Sequence, residues 1–220
     1  MDFARYIEHT NLSPALTIRD IDRVVEEARQ FNFFGVCVPP FWVRRAKREI
    51  GTADIVLITV AGFPLGYNMT ETKLDEIRRA LDNGADEVDV VWNTTSFKTG
   101  IPWTKIEIAK CAKLLHDNQK VMKVVLEASY LSDQEIAEAC KLCCDAGTDF
   151  ICPTTDTASY DFKVGDLKLM RSSVTQAAGI KAAGNIAAIE NVHAAIAGGA
   201  DRIGTTHAVS IIQTTLHPTE

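Results

Sequence analysis

At 220 residues, with 46% hydrophobic and 24% charged residues, the chain has ordinary globular composition and can bury one sizeable core. A formal charge of −6 leaves no basic surplus to neutralise phosphates, which argues against a nucleic-acid partner. No apolar run reaches the roughly 18 residues of a membrane span, and MDFARYIEHT lacks the basic-then-apolar order of a secretory signal, so a cytoplasmic protein with no membrane partner is expected.

The predicted elements repeat one unit, a β-branched run followed by a polar turn and an amphipathic helix. RYIEHT (5–10) leads into TIRDIDRVVEEARQ, a helix opening at Thr17. Two apolar strands follow, FFGVCVPP (33–40) and DIVLITVAGF (54–63), then TETKLDEIRRALDNG, a helix closed by Gly84. The strands DEVDVVWN (86–93) and VMKVVLEA (121–128) precede SDQEIAEACKLCCDAG, a helix with a Ser132…Glu135 capping box and a stop at Gly147. DFICPTT (149–155) is a strand, and DLKLMRSSVTQAAG is a helix ending at Gly179. GIKAAGN (179–185) is a strand, AAIENVHAAIAGGA a helix closed by Gly198-Gly199, and DRIGTT (201–206) the last strand.

Most of these strands are continuous apolar runs, as expected when both faces of a parallel sheet are covered. Eight of them alternating with helices predict an α/β protein, a (β/α)8 TIM barrel spanning 1–220 as a single domain. An open doubly wound sheet is the alternative, but no G-x-G-x-x-G follows the first strand.

The six cysteines are Cys37, Cys111, Cys140, Cys143, Cys144 and Cys152. Cys140, Cys143 and Cys144 share a helix face without a second Cys/His pair at ligand spacing, so they read as buried reduced thiols. No metal and no cofactor is expected. His116, His193, His207 and His217 likewise show no ligand spacing, whereas His9, beside Thr10, could face a site.

In a (β/α)8 barrel the chemistry lies at the C-terminal ends of the strands. The candidates there are Thr10, Cys37, Asp89, Glu127, Cys152, Lys181 and Gly204 to Thr206. Lys181, flanked by Ile180, Ala182 and Ala183, is costly in an apolar strand unless it is paired or used. Desolvation would lower its pKa and leave a neutral amine able to attack a carbonyl; the other reading is a structural ion pair with Asp89. Asp89, among valines, reads as a general acid/base, a counter-ion of Lys181, or a carboxylate bonded to backbone amides. Gly184-Asn185 and Gly204-Thr205-Thr206 read as turns whose amides and hydroxyls could cradle an anion.

EHTNL, VCVPP, GFPLG…E.K, GADEVDVVWN, KVVLEA, GTDFI, IKAAGNI and GGADRIGTT, taken in order, make nearly the whole chain resemble the deoxyribose-phosphate aldolases. The resemblance implies a class I, Schiff-base aldolase of (β/α)8 fold acting on a small carbonyl compound. It also implies a homodimer. In that family the sixth strand reads approximately F-[VI]-K-T-S-T-G, and its lysine forms the imine. Here Cys152 stands at the lysine position and Asp156 replaces a glycine that helps to bind phosphate. The family's K-x-[SA]-G-G-[IV]-R becomes Lys181 to Ala187, with Asn185 for a glycine and Ala187 for the arginine. Asp89 matches the family's strand-four aspartate, Thr155 the threonine of its proton relay and Glu8 its early acidic position.

The expected catalytic residues are therefore Lys181, Asp89, Cys152 and Thr155, with Thr10, Cys37, Thr154, Asp156, Gly184, Asn185, Gly204, Thr205 and Thr206 binding substrate. A carboxylate at 156 and the lost arginine predict a substrate without phosphate at the usual place. Three readings of the thiol stand: Lys181 has inherited the imine, Cys152 reacts as a thiolate beside a Lys181 ammonium, or the barrel binds a metabolite without turnover. The second covers isomerase, cyclase or dehydratase outcomes.

Overall fold

All eight predicted strands form, each shorter than its apolar run. The computed structural model describes residues 3–157, 160–174 and 178–216, so His217 lies outside the described residues. The parallel strands are β1 (Ile7–Thr10), β2 (Gly35–Cys37), β3 (Val56–Ala61), β4 (Glu87–Val91), β5 (Val121–Val125), β6 (Phe150–Cys152), β7 (Gly179–Ala182) and β8 (Arg202–Thr205). They follow one another around a closed barrel, sealed where β1 pairs with β8 from Ile7↔Ile203 to His9↔Thr205. Apolar burial outlasts the ladder, which is why the strands end earlier than the sequence suggests. Val38, Leu126 and Ala183 lie past the last strand residues and remain buried.

The helices are α1 (Ile18–Gln30), α2 (Val43–Ile50), α3 (Thr70–Asp82), α4 (Thr94–Lys98), α5 (Trp103–Asp117), α6 (Asp133–Asp145), α7 (Val164–Ser173), α8 (Ile189–Ala197) and α9 (Ala208–Leu216). The capping box at α6 forms as predicted: Ser132 N donates to Glu135 Oε2 at 2.8 Å, and Glu135 N donates to Ser132 Oγ at 3.3 Å. At α1, Thr17 N donates in the same way to Asp20 Oδ2 at 2.9 Å. The helix expected to run to Gly179 stops at Ser173, where Val174 turns extended (ψ 155°). Its predicted residues 175–177 lie outside the described residues, and Gly179 opens β7.

The main core fills the space between barrel and helices. Cys140 and Cys143 are buried on α6, with Cys144 half-buried. Trp92 is buried and donates through Nε1 to Leu126 O at 2.6 Å, whereas Trp103 is exposed. No helix among the described residues is long and apolar enough to cross a membrane.

One charged pair joins the outer layer. Lys73 on α3 donates to Glu107 Oε1 on α5 at 2.6 Å, both residues buried, and Thr70 Oγ1 donates to Glu107 Oε2 at 3.0 Å. Removing one partner of such a pair strands a charge in a medium that solvates it poorly. Lys73→Met is expected to lower unfolding stability by about 3 kcal/mol in urea denaturation. A loss under about 1 kcal/mol would mean that water reaches Glu107.

Candidate active site

Inside the barrel, alternate strand residues point to the axis. At one level these are Glu8 (β1), Asp89 (β4), Lys123 (β5) and Lys181 (β7), all buried. They form a closed ring of charge. Lys181 Nζ lies 2.6 Å from Asp89 Oδ2 and 2.6 Å from Glu8 Oε2. Lys123 Nζ lies 3.0 Å from Asp89 Oδ1 and 3.4 Å from Glu8 Oε1. Each carboxylate is thus divided between the two ammonium groups. Glu87 Oε2, 2.5 Å from Lys123, adds a third carboxylate.

Gly204 gives the ring room on the Lys181 side. Glu8 is paired in register with Gly35 on one side and Gly204 on the other. A Cβ on Gly204 would stand 2.7 Å from Lys181 Cε and 3.3 Å from its Nζ, so the lysine side chain lies against bare backbone.

The electrostatics follow from this sharing. Burial pushes Lys181 down, but the carboxylates of Asp89 and Glu8 more than reverse it, holding the group well above the usual lysine range. Lys123 is raised in the same sense, against burial, by Asp89, Glu8 and Glu87. Burial raises Asp89, and the two lysines outweigh it to leave that carboxyl lowered. Glu87 stays raised because burial exceeds the pull of Lys123. Of the two readings of Lys181, the ion pair with Asp89 is the one that forms, and it overturns the expectation that desolvation lowers the group: Lys181 rests as an ammonium.

Above the ring, a narrow cup forms at the C-terminal ends of the strands. Nine of the predicted site residues line it: Thr10, Cys37, Asp89, Cys152, Thr154, Thr155, Asp156, Lys181 and Gly204. Leu12, Val60, Phe63, Val125 and Ala183 supply apolar wall. Burial pushes the Cys152 thiol up to about 12, against the pull of Lys181, whose charge is already matched. Cys152 Sγ donates to Thr154 O at 3.4 Å, and Cys37 is also raised by burial. Both groups rest as neutral thiols, which weighs against the thiolate reading. Thr155 N donates to Glu127 Oε1, and Thr155 Oγ1 lies 2.6 Å from Thr157 Oγ1.

Four predicted binding residues stand outside the cup. Thr205 has used its hydroxyl, donating to Ile186 O at 2.6 Å and accepting from His207 N at 2.9 Å. Thr206 is exposed in a separate groove beside His9 and Glu27. Asn185 is exposed, its Nδ2 3.4 Å from Asp161 Oδ1. Gly184 (φ +108°) is buried, packed so that a Cβ would meet the Tyr160 ring at 2.7 Å. The amides of both act on Asp156 rather than opening into the cup. His9 also turns away, as strand alternation requires between inward Glu8 and Thr10, and meets Glu27 Oε2 on α1 at 2.7 Å.

The sequence reading passed over Lys123 and Glu87. Lys123 carried the signal that marked Lys181, a lysine inside an apolar strand. Among the described residues no group of three or more His, Cys, Asp or Glu side chains is arranged to hold a metal ion.

A closed parallel barrel with buried amines, their carboxylates and a narrow cup at the strand ends has the layout of a (β/α)8 enzyme, with its charged groups gathered where such barrels carry their active sites. The family model of the DeoC/LacD family aldolases matches residues 3–211. A deoxyribose-phosphate aldolase of Thermococcus gammatolerans is 41% identical over 216 residues, 97% of this chain and 96% of that protein. Among solved structures, an aldolase described as QR15 superposes with a TM-score of 0.93 at 33% identity, covering 98% of this chain and 96% of the other. The deoxyribose phosphate aldolase of Aeropyrum pernix, described as a unique tetramer, gives 0.91 at 28% identity, covering 99% and 92%. The chain belongs to the DeoC/LacD family of aldolases, enzymes of the lyase class.

Alkylation reports the state of Cys152. With the thiol raised to about 12, iodoacetamide at pH 7.5 is expected to modify it at least about 100-fold more slowly than free cysteine, followed by peptide mass spectrometry. Rapid labelling at neutral pH would show a thiolate.

Proposed function

We propose that the protein makes or breaks a carbon–carbon bond in a small aldehyde or ketone, with Lys181 forming an imine to the carbonyl carbon. The observation that carries this is the 2.6 Å contact between Lys181 Nζ and Asp89 Oδ2 at the floor of the cup. Lys181 is the one amine among the residues lining the cup, and a carboxylate able to take its proton touches it.

The mechanism starts with proton transfer. Lys181 passes a proton to Asp89, giving a neutral amine and a neutral acid, while Glu8 and Lys123 stay paired. In a buried pair the charged and neutral forms lie closer in energy than in water, because burial penalises both ions. The amine adds to the carbonyl carbon, the oxygen leaves as water after protonation, and the iminium forms. A base takes the proton of the hydroxyl on the β carbon, that carbon departs as an aldehyde, and the electron pair of the breaking bond between the α and β carbons passes to the positive nitrogen, leaving an enamine. Protonation of that enamine at carbon and hydrolysis by water return the amine; synthesis runs the same steps backwards. Asp89 moves the protons, and Cys152 and Thr155 serve as neutral neighbours at the cup wall.

The raised Lys181 favours one further reading. A lysine that stays an ammonium can polarise a carbonyl while Asp89 removes an α-proton, which gives an isomerase or dehydratase instead. Borohydride reduction separates the two. Incubation with a panel of aldehydes and ketones is expected to leave a reduced adduct on Lys181 and none on Lys181→Met, read by peptide mass spectrometry. Because the carboxylates hold Lys181 above its ordinary value, the free amine grows with pH, and adduct yield is expected to rise from pH 7 to pH 10 without a plateau. Substrate turnover with no adduct at any pH would favour the ammonium mechanism.

We also propose that the substrate lacks a phosphate at the family's usual position. Asp156, a cup residue in a left-handed conformation (φ 62°), presents its carboxyl to the amides of Gly184 and Asn185. Crowding by surrounding atoms raises that carboxyl although the residue is exposed at the lip, and Lys181 pulls the other way. An incoming phosphate would meet a like charge where it needs donors. Deoxyribose is accordingly expected to bind at least as tightly as deoxyribose 5-phosphate in calorimetry, and a clear preference for the phosphorylated sugar would refute this. For assembly, the family habit supports a homodimer of this chain, readable by light scattering.

A further inference from the structure

The two ends of the cup differ in how their charges are matched. At the floor, the charge of Lys181 is taken up by Asp89 and Glu8 at 2.6 Å each. At the lip, Asp156 makes no ion pair among the described residues; its partners are backbone amides, and its own N–H donates to Thr154 Oγ1 at 3.0 Å. The charged residues lining the cup are Asp89, Asp156 and Lys181, so Asp156 is the lining charge without a salt-bridge partner. Glu127, whose carboxylate accepts from Thr155 N, adds a second negative group beside it. The wall between floor and lip is Val60, Phe63, Val125 and Ala183, which offers a substrate chain apolar contact and no competing charge.

From this arrangement we infer that the substrate carries a cationic group at the end remote from its carbonyl: the carbonyl meets Lys181 at the floor, and an ammonium is held by Asp156 at the lip. The inference rests on the reading of the cup as the place where a carbonyl compound binds, and it names the chemistry of that compound's far end. A carboxylate offers only acceptors and a negative charge, so opposite charge is favoured beside it over a neutral or anionic group. Asp156 is exposed at the lip, so the contact has the modest, salt-sensitive strength of a surface pair.

The test uses the full-length protein and three pentan-2-ones that differ at C5, bearing a trimethylammonium, a hydroxyl or a phosphate group. Binding is measured by calorimetry at low and high salt. The cationic ketone is expected to bind about fivefold more tightly than the hydroxyl ketone at low salt, with the phosphate ester weakest, and the difference is expected to shrink as salt is added. In Asp156→Asn the ratio of cationic to hydroxyl affinity is expected to fall close to one. Asp156→Gly provides the same readout with a residue that adopts positive φ freely, should the asparagine variant fold poorly. A phosphate ester that binds as tightly as the cationic ketone would overturn the inference. So would a cation preference that survives both substitutions, or no binding of any of the three. Cation preference without any borohydride-reducible adduct would leave this inference standing and remove the imine mechanism. An adduct on Lys181 without cation preference would do the reverse.

Discussion

The division of two carboxylates between two lysines inside the barrel is the constraint on which the site depends. Four ionisable side chains are removed from water at the level of Glu8, Asp89, Lys123 and Lys181, and none of them could be buried alone without several kcal/mol of desolvation cost. Each oxygen of Asp89 faces a different lysine, and each oxygen of Glu8 does the same. That geometry fixes the side chains in place and holds both lysines above their ordinary range. Lys123 therefore has the character of a positioning residue: it lies beneath the cup and holds one side of the carboxylate whose other side touches the amine.

The same division explains how a basic amine can be reached from a state that disfavours it. If Asp89 belonged to Lys181 alone, its charge would bind the proton still more firmly. With Lys123 taking half of that carboxylate, the hold on Lys181 is loosened without Asp89 losing its place as the nearest acceptor. Cys152 fits this picture as a small neutral group. A thiol raised by burial neither competes for the proton nor contributes charge, and it leaves space in the cup where a longer side chain would stand.

The fold was legible in the sequence because parallel strands covered on both faces read as unbroken apolar runs, and DIVLITVAGF or VMKVVLEA can hardly be anything else. Their ends were not legible, since buried residues such as Val38 and Leu126 continue the pattern beyond the ladder. Lys181 and Asp89 stood out as charges among valines, isoleucines and alanines. Lys123 stood out equally and was overlooked: Glu87 and Asp89 lie on the neighbouring strand β4, but Glu8 on β1 is brought near only by barrel closure. The direction of the Lys181 shift failed for the same reason: desolvation is a property of one strand, whereas the number of carboxylates around an amine is a property of the closed ring. Thr205 shows another limit. Its position at a strand end was read correctly, but its hydroxyl was already committed to Ile186 O.

Glu87 carries a consequence of its own. The buried set holds three carboxylates, Glu8, Glu87 and Asp89, against the two ammonium groups of Lys123 and Lys181, so with every group ionised it stands one positive charge short. Glu87 is the member whose burial outweighs its attraction to lysine, so its carboxyl takes up a proton more readily than an ordinary glutamate does. The interior charge of the barrel can therefore follow pH at that one carboxyl while the ion pairs of both lysines stay in place.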